Sequence, residues 1–229
     1  MMWVFIFGGY MKKFFILFVT LIVCACFCGC TGSTNKAISY KQTTYLIGEC
    51  EQFNLTVISG KRESPYVMDG VRGDLVEFCT ITLKPNSNDG VNQNYGYEVG
   101  VEGESYTGSL NKDTFGTTFS GDIGVDIGES ITSIVIKFGD ETTTVMLENM
   151  MANALVSADD ALSIAENALK DTLSQLAEDD KREIYLKFVS DIIGDESVYY
   201  WYVAYVGEGG RYSAVLIDVV SGDIIAKRA

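Results

Sequence analysis

The chain has 229 residues, with 17 Lys+Arg against 31 Asp+Glu, a net charge of −14 and no histidine. Without imidazole there is no Ser-His-Asp or Cys-His nucleophilic pair and no histidine-ligated catalytic zinc, which closes most hydrolase mechanisms. The acidic balance, with no basic cluster, also disfavours nucleic acid as a partner, because phosphate binding rests on grouped Lys and Arg.

Residues 11–30, MKKFFILFVTLIVCACFCGC, place two lysines ahead of an apolar run that ends in cysteines and turns polar at Thr31-Gly32-Ser33. A positive start, a short apolar core and a small residue before cysteine are the parts of an export signal of the lipoprotein kind. The expected lipidation site is Cys30 after Gly29, with Cys26 after Ala25 as the alternative. Cys30 leads straight into a polar tether, whereas Val23 suits the upstream position for Cys26 better than Phe27 does for Cys30. The apolar stretch at 14–29 has 16 residues, short of the roughly 20 needed to span a bilayer, so an uncleaved anchor is the weaker reading. Gly8-Gly9 just ahead of Met11-Lys12-Lys13 makes Met11 the expected start. The expectation is therefore a signal at 1–30, a tether at 31–36, and a lipid-anchored position on a bacterial cell membrane, facing outward.

From 37 to 150 the pattern is short β-type runs broken by Gly, Asn and Asp, at 43–47, 52–58, 76–83, 95–101, 105–110, 115–120, 131–138 and 142–147. Strands at such spacing with no helical period predict an antiparallel β-sandwich, immunoglobulin-like or related. Gly139-Asp140 reads as a tight hairpin turn. Only Cys50 and Cys79 lie beyond the signal, too few for a four-cysteine metal site, and no cofactor or metal is expected. An exported protein can bridge such a pair. In the run at 51–58, however, Phe53, Leu55 and Val57 form the apolar face, which sets Cys50 in phase with polar Gln52, Asn54 and Thr56. Cys79 is in phase with Leu75, Ile81 and Leu83. One cysteine outward and one inward favour two unpaired thiols over a disulfide, unless a bulge intervenes.

Three loops carry weak motifs. Arg72-Gly73-Asp74 matches an integrin-binding tripeptide, yet Asp69-Gly70 beside it marks an ordinary turn. Asn86-Ser87-Asn88-Asp89-Gly90 lacks a first ligand and a closing Glu for a calcium loop, so it reads as a turn. Asp122, Asp126 and Glu129 fall close together as a weak cation site or, more simply, an acidic turn.

After residue 150 the composition shifts to Ala, Leu and Asp. Ser157 with Asp160 three residues on is a capping-box-like helix start, and Leu162, Ala165, Leu169, Leu173 and Leu176 make one apolar stripe that should end by Asp179-Asp180. Strands are predicted at 184–189, 198–206, 211–219 and 223–226, with hairpins at Gly207-Glu208-Gly209-Gly210 and Ser221-Gly222. One helix across a three- or four-stranded antiparallel sheet is the α+β solution, here as a second domain at 151–229. In the strand at 198–206, Tyr199, Trp201, Val203 and Tyr205 point one way and Tyr200, Tyr202, Ala204 and Val206 the other. The helix can cover one face, so Tyr199, Trp201 and Tyr205 are the candidate partner surface, against the alternative of burial on the sandwich.

The residues Ser157-Ala158-Asp159-Asp160-Ala161, the aromatic strand from Tyr199 to Tyr205, and Asp218, Gly222 and Ile224-Ile225 in that order resemble a PepSY domain, the small module named for protease propeptides and a spore-cortex protein. The resemblance covers the C-terminal third of the chain. It implies a non-catalytic module outside the membrane, with no catalytic residues to carry over, that restrains or chaperones a peptidase. Such a partner would be a separate secreted or envelope protein. Rival readings are an adhesive or structural module that binds glycan or cell wall through the sandwich, and a carboxylate-dependent hydrolase, for which no acid pair stands out.

Overall fold

A computed structural model describes residues 38–114, 116–128, 131–176, 182–191 and 197–229. Cys26 and Cys30, Phe115, Glu129 and the expected helix stop at Asp179-Asp180 lie outside the described residues. The chain from Ala37 to Ala229 is one compact unit, mainly β, with a single α-helix among the described residues and a large mixed sheet.

The β-rich part comprises β1 (Tyr40–Glu49), β2 (Phe53–Ser64), β3 (Asp74–Pro85), β4 (Tyr95–Val101), β5 (Glu104–Lys112), β6 (Phe119–Ile123), β7 (Ser133–Phe138), β8 (Glu141–Met146) and β9 (Glu148–Asn149). These strands pair antiparallel in the order β1-β2-β3-β6-β5-β4-β7-β8, and β9 returns to β1 through Leu46↔Asn149 and Ile47↔Glu148. The pairing therefore runs round a single core rather than stopping at two open sheet edges. Alternate residues point into it: Phe53, Leu55 and Val57 from β2, Cys79, Ile81 and Leu83 from β3, Ile134 and Ile136 from β7. The strand expected at 115–120 begins later, at Phe119. Asp113 explains the delay, since its carboxylate accepts the Thr117 amide (2.9 Å) and the Thr118 hydroxyl (2.8 Å) and so holds a turn there.

The C-terminal part comprises α1 (Ala158–Leu176), β10 (Glu183–Ser190), β11 (Tyr199–Val206), β12 (Tyr212–Asp218) and β13 (Ile224–Arg228). Ser157 caps the helix as its sequence predicts: its Oγ accepts the Asp160 amide (3.1 Å) and donates to the Asp160 carboxylate (2.6 Å). Ala161, Ala165, Leu169, Leu173 and Leu176 form the buried stripe, packed on Ile184, Leu186, Trp201, Val203, Val215 and Ile217.

The change of composition near residue 150 does not break the sheet. Tyr40 and Lys41 at the start of β1 pair in parallel with Tyr185 and Leu186 of β10, so the order continues β13-β12-β11-β10-β1-β2. Strand β1 thus belongs to both parts, its first residues to the helix-covered sheet and its last to the β-ring. Its register on β2 shifts between Gln42 and Thr44, a bulge that bends the strand from one sheet into the other. Polar side chains pin the bend. Thr43 and Ser59 hydroxyls each donate to Asp126 Oδ1 (both 2.8 Å), the Thr44 hydroxyl donates to the Gly128 carbonyl (2.8 Å), and Gln42 Oε1 accepts the Phe188 amide (3.3 Å).

Candidate functional site

The two faces of β11 have different covers. Trp201 and Tyr205 are 2% and 1% exposed beneath α1, so they are core rather than the partner surface their chemistry suggests. The indole Nε1 donates to the Val156 carbonyl (2.8 Å) and the ring meets Phe188 edge-on at 5.3 Å. Ala161 and Ala165, on the same core, leave room for these large rings.

Tyr199, the third residue of that candidate set, lies at the mouth of the sheet and is half-buried. It stacks on Phe188 (5.2 Å, 21°) and meets Tyr45 of β1 edge-on (5.8 Å, 71°). Both tyrosines line an open groove of about 790 Å³ at the place where β1 leaves the helix-covered sheet. Ile47, Met150 and Val219 supply apolar wall, and Thr56 and Thr82 supply hydroxyls from the outer face of β2 and β3. Asp218 also lines it. The Ser221 amide (2.7 Å), and after it the Val220 amide (2.9 Å), donate to Asp218 Oδ1 and hold its carboxyl below the usual carboxylate range. Asp218 is thus an ionised turn cap, unsuited to donate a proton at neutral pH. Aromatic faces beside hydroxyls and fixed charges make a contact surface for an extended polar ligand.

Residues 65–73 between β2 and β3 form a strap over the opposite face of β11, where Tyr40, Phe78, Tyr185, Ala204, Val206 and Ala214 cluster. The Tyr185 hydroxyl donates to the Val67 carbonyl (3.2 Å), and the Arg72 guanidinium donates twice to the Arg182 carbonyl (3.0 and 2.6 Å). The Gly70 amide donates to Glu183 Oε2 (2.9 Å). Arg72-Gly73-Asp74 is therefore tied down at its arginine and runs directly into β3, which leaves no presented tripeptide loop. Gly70 has φ +83°, and a Cβ there would collide with the Gly207 carbonyl oxygen.

The remaining candidates resolve as structural features. Cys50 and Cys79 are free thiols. Phe53 faces Pro85 and Ser59 faces Cys79 across β2 and β3, so Cys79 lies six residues along β3 from the hairpin end that carries Cys50. That separation is ~20 Å, far beyond disulfide reach. Burial pushes the Cys79 thiol up to about 12, with the charges of Asp122 and Asp126 adding to it. Asp126 is occupied by Thr43, Ser59 and the Gly128 amide (3.2 Å), and Asp122 accepts the Thr80 hydroxyl. Both acids serve the protein's own donors, and no grouping of three metal-ligating side chains occurs among the described residues. The 86–90 segment is a turn followed by a short 3-10 stretch, with the Asn86 amide donating to the Cys50 and Glu51 carbonyls.

The alternation in sequence missed Tyr45, Glu63 and Glu183 as site residues. Tyr45 had a signal, an aromatic in phase with Ile47 on the outer side of β1. The two glutamates had none, because isolated acids in an acidic chain read as solvated. Comparison with protein-family models, curated proteins and solved structures finds no match to this chain.

Proposed function

We propose that this is a non-enzymatic lipoprotein, anchored through Cys30 (alternatively Cys26) to the outward face of a bacterial cell membrane, that binds a protein partner in the groove beside Tyr45 and Tyr199. In this reading α1 and β10 to β13 are a PepSY-like module, the β-rich part is its sandwich-related platform, and the partner is a separate secreted or envelope peptidase that the module restrains. The observation that carries the binding site is the groove itself: two stacked or edge-packed tyrosines left half-buried at a junction where the neighbouring Trp201 and Tyr205 are sealed. Tyrosine suits this use because a rigid apolar ring ends in a hydrogen-bonding hydroxyl.

A second reading, adhesion to glycan or cell wall, draws on Thr56 and Thr82 on the platform side of the same groove. A quantitative pull-down from the native envelope and secreted fractions separates the two, comparing the wild type with a Tyr45→Ala/Tyr199→Ala variant. Capture of a peptidase that the protein slows, reduced at least about tenfold in the variant as for loss of an interface anchor, supports the first reading. Retention of wall glycan by the wild type and its loss in the variant supports the second. Equal capture by both proteins removes the groove from either account.

A further inference from the structure

Glu63 at the end of β2 and Glu183 at the start of β10 are 3% and 0% exposed, two carboxyls buried together under the strap. No salt bridge to either is present among the described residues. Glu183 Oε2 accepts the Gly70 amide, while Oε1 is buried without a donor at hydrogen-bonding geometry. Backbone pairing brings the two residues together: the Ser39 amide donates to the Ile184 carbonyl (2.9 Å) and the Ser39 carbonyl accepts the Glu63 amide, so both carboxyls are buried at one place. A carboxylate buried without a cation beside a second carboxyl is disfavoured in its charged form, so the closed site favours Glu183 with its proton.

Among the described residues no cation pairs with either carboxyl: Lys187 donates to the Tyr66 hydroxyl (2.9 Å) and Arg62 lies over the Tyr66 ring, on the strap rather than on the acids. From β10, the Tyr185 hydroxyl donates to the Val67 carbonyl; from the strap, Tyr66 packs on the Tyr185 ring at 6.1 Å. Arg72 spends its guanidinium on the Arg182 carbonyl, and the Arg182 side chain lies toward Glu166 and Tyr205. Facing residues on the adjoining strands are apolar: Val206 opposite Glu183 on β11 and Leu75 opposite Glu63 on β3. From the β1 side, the Ser39 carbonyl accepts the Glu63 amide (2.9 Å).

We propose that the buried pair Glu63 and Glu183, through the Gly70 amide held by Glu183, is a latch that keeps the 65–73 strap closed over the Tyr185, Ala204 and Val206 face and releases it as pH rises. Removal of the Glu183 proton leaves a charge in a buried site beside a second carboxyl, and the cheapest relief is to admit water by lifting the strap, which breaks the Gly70 contact to Glu183. Burial, reinforced by the neighbouring Glu63 and opposed in part by the Gly70 amide and the Tyr185 hydroxyl, holds Glu183 up at about 7. Opening therefore grows as pH rises above about 4.5 and levels off above about 7. The released strap would uncover an aromatic and apolar face outside the Tyr199 groove, so the latch stands apart from the proposed binding reading.

Hydrogen exchange of the full chain tests it, followed in peptides spanning 65–73 and, as control, 161–173, with labelling times scaled to intrinsic rates. Between about pH 5.5 and 8.5 the strap should open roughly ten- to thirtyfold more while the helix control stays constant. Glu183→Gln keeps the acceptor for Gly70 and offers Glu63 a permanent donor, so its strap should stay protected throughout. Glu63→Gln does the same from the other side and serves where the first variant fails to fold. A wild-type strap with pH-independent protection overturns the latch. So does a Gln variant that retains the wild-type pH dependence, or a control helix that opens in step with the strap.

Discussion

The two faces of β11 look alike in sequence and are held in opposite ways. On one, α1 lays Ala161, Ala165, Leu169 and Leu173 against Trp201 and Val203, a dry cover held by packing. On the other, the strap is fastened by the Gly70 contact to Glu183, the Arg72 contact to the Arg182 carbonyl and the Tyr185 contact to the Val67 carbonyl. An apolar cover can be removed only at the full cost of exposing its surface, whereas a polar cover over a buried carboxyl pair can be adjusted by a proton. The first face serves stability and the second can change state.

The largest expected effect is on the packed face. Trp201→Ala should cost about 3–5 kcal/mol of unfolding free energy by urea titration, from lost burial and the cavity left behind, and it strands the Val156 carbonyl. A loss below about 1 kcal/mol would mean that α1 does not seal this face. Gly70→Ala should come next, at about 1–3 kcal/mol, because φ +83° and the Gly207 carbonyl both reject a Cβ. Exchange in the strap should rise while the helix stays protected, since the damage falls on one cover only.

The pH response is smaller and has a definite sign. Glu183 titrates higher folded than its ordinary value of 4.5, so the folded chain holds a proton that the unfolded chain gives up. Its contribution to stability is complete below about pH 4.5 and is lost as pH rises through about 7. Each tenfold of that proton affinity corresponds to about 1.4 kcal/mol. Thermal unfolding of Glu183→Gln should lack this component; a variant curve parallel to the wild type would assign the pH response to other groups.

Most strands were legible because their alternation is complete: Phe53, Leu55 and Val57, and Ile81 and Leu83, face one core and their neighbours face out. The helix was legible from Ser157 and its stripe. What pattern could not convey is how β1 is used. Gln42, Thr44 and Ser59 are buried polar residues at a bulge, and locally they read as an outward phase. The parallel pairing of β1 with β10 joins residues far apart in sequence, and β9 is two residues long, so neither leaves a periodic trace. Trp201 and Tyr199 share one phase of β11, and alternation alone cannot say that the helix ends its cover between them.

The groove, the strap and the latch all depend on β1 holding the β-ring and the helix-covered sheet together as one body. Of the two tryptophans in the chain, Trp3 lies upstream of the expected start and Trp201 lies under α1. Guanidinium unfolding of residues 31–229, followed by Trp201 fluorescence and by far-ultraviolet circular dichroism, therefore reads the C-terminal sheet and the whole fold separately. Coincident transitions with one midpoint are the expected result, as for a single cooperative unit. A Trp201 transition well separated from the loss of β signal would show two independent domains and contradict the shared role of β1.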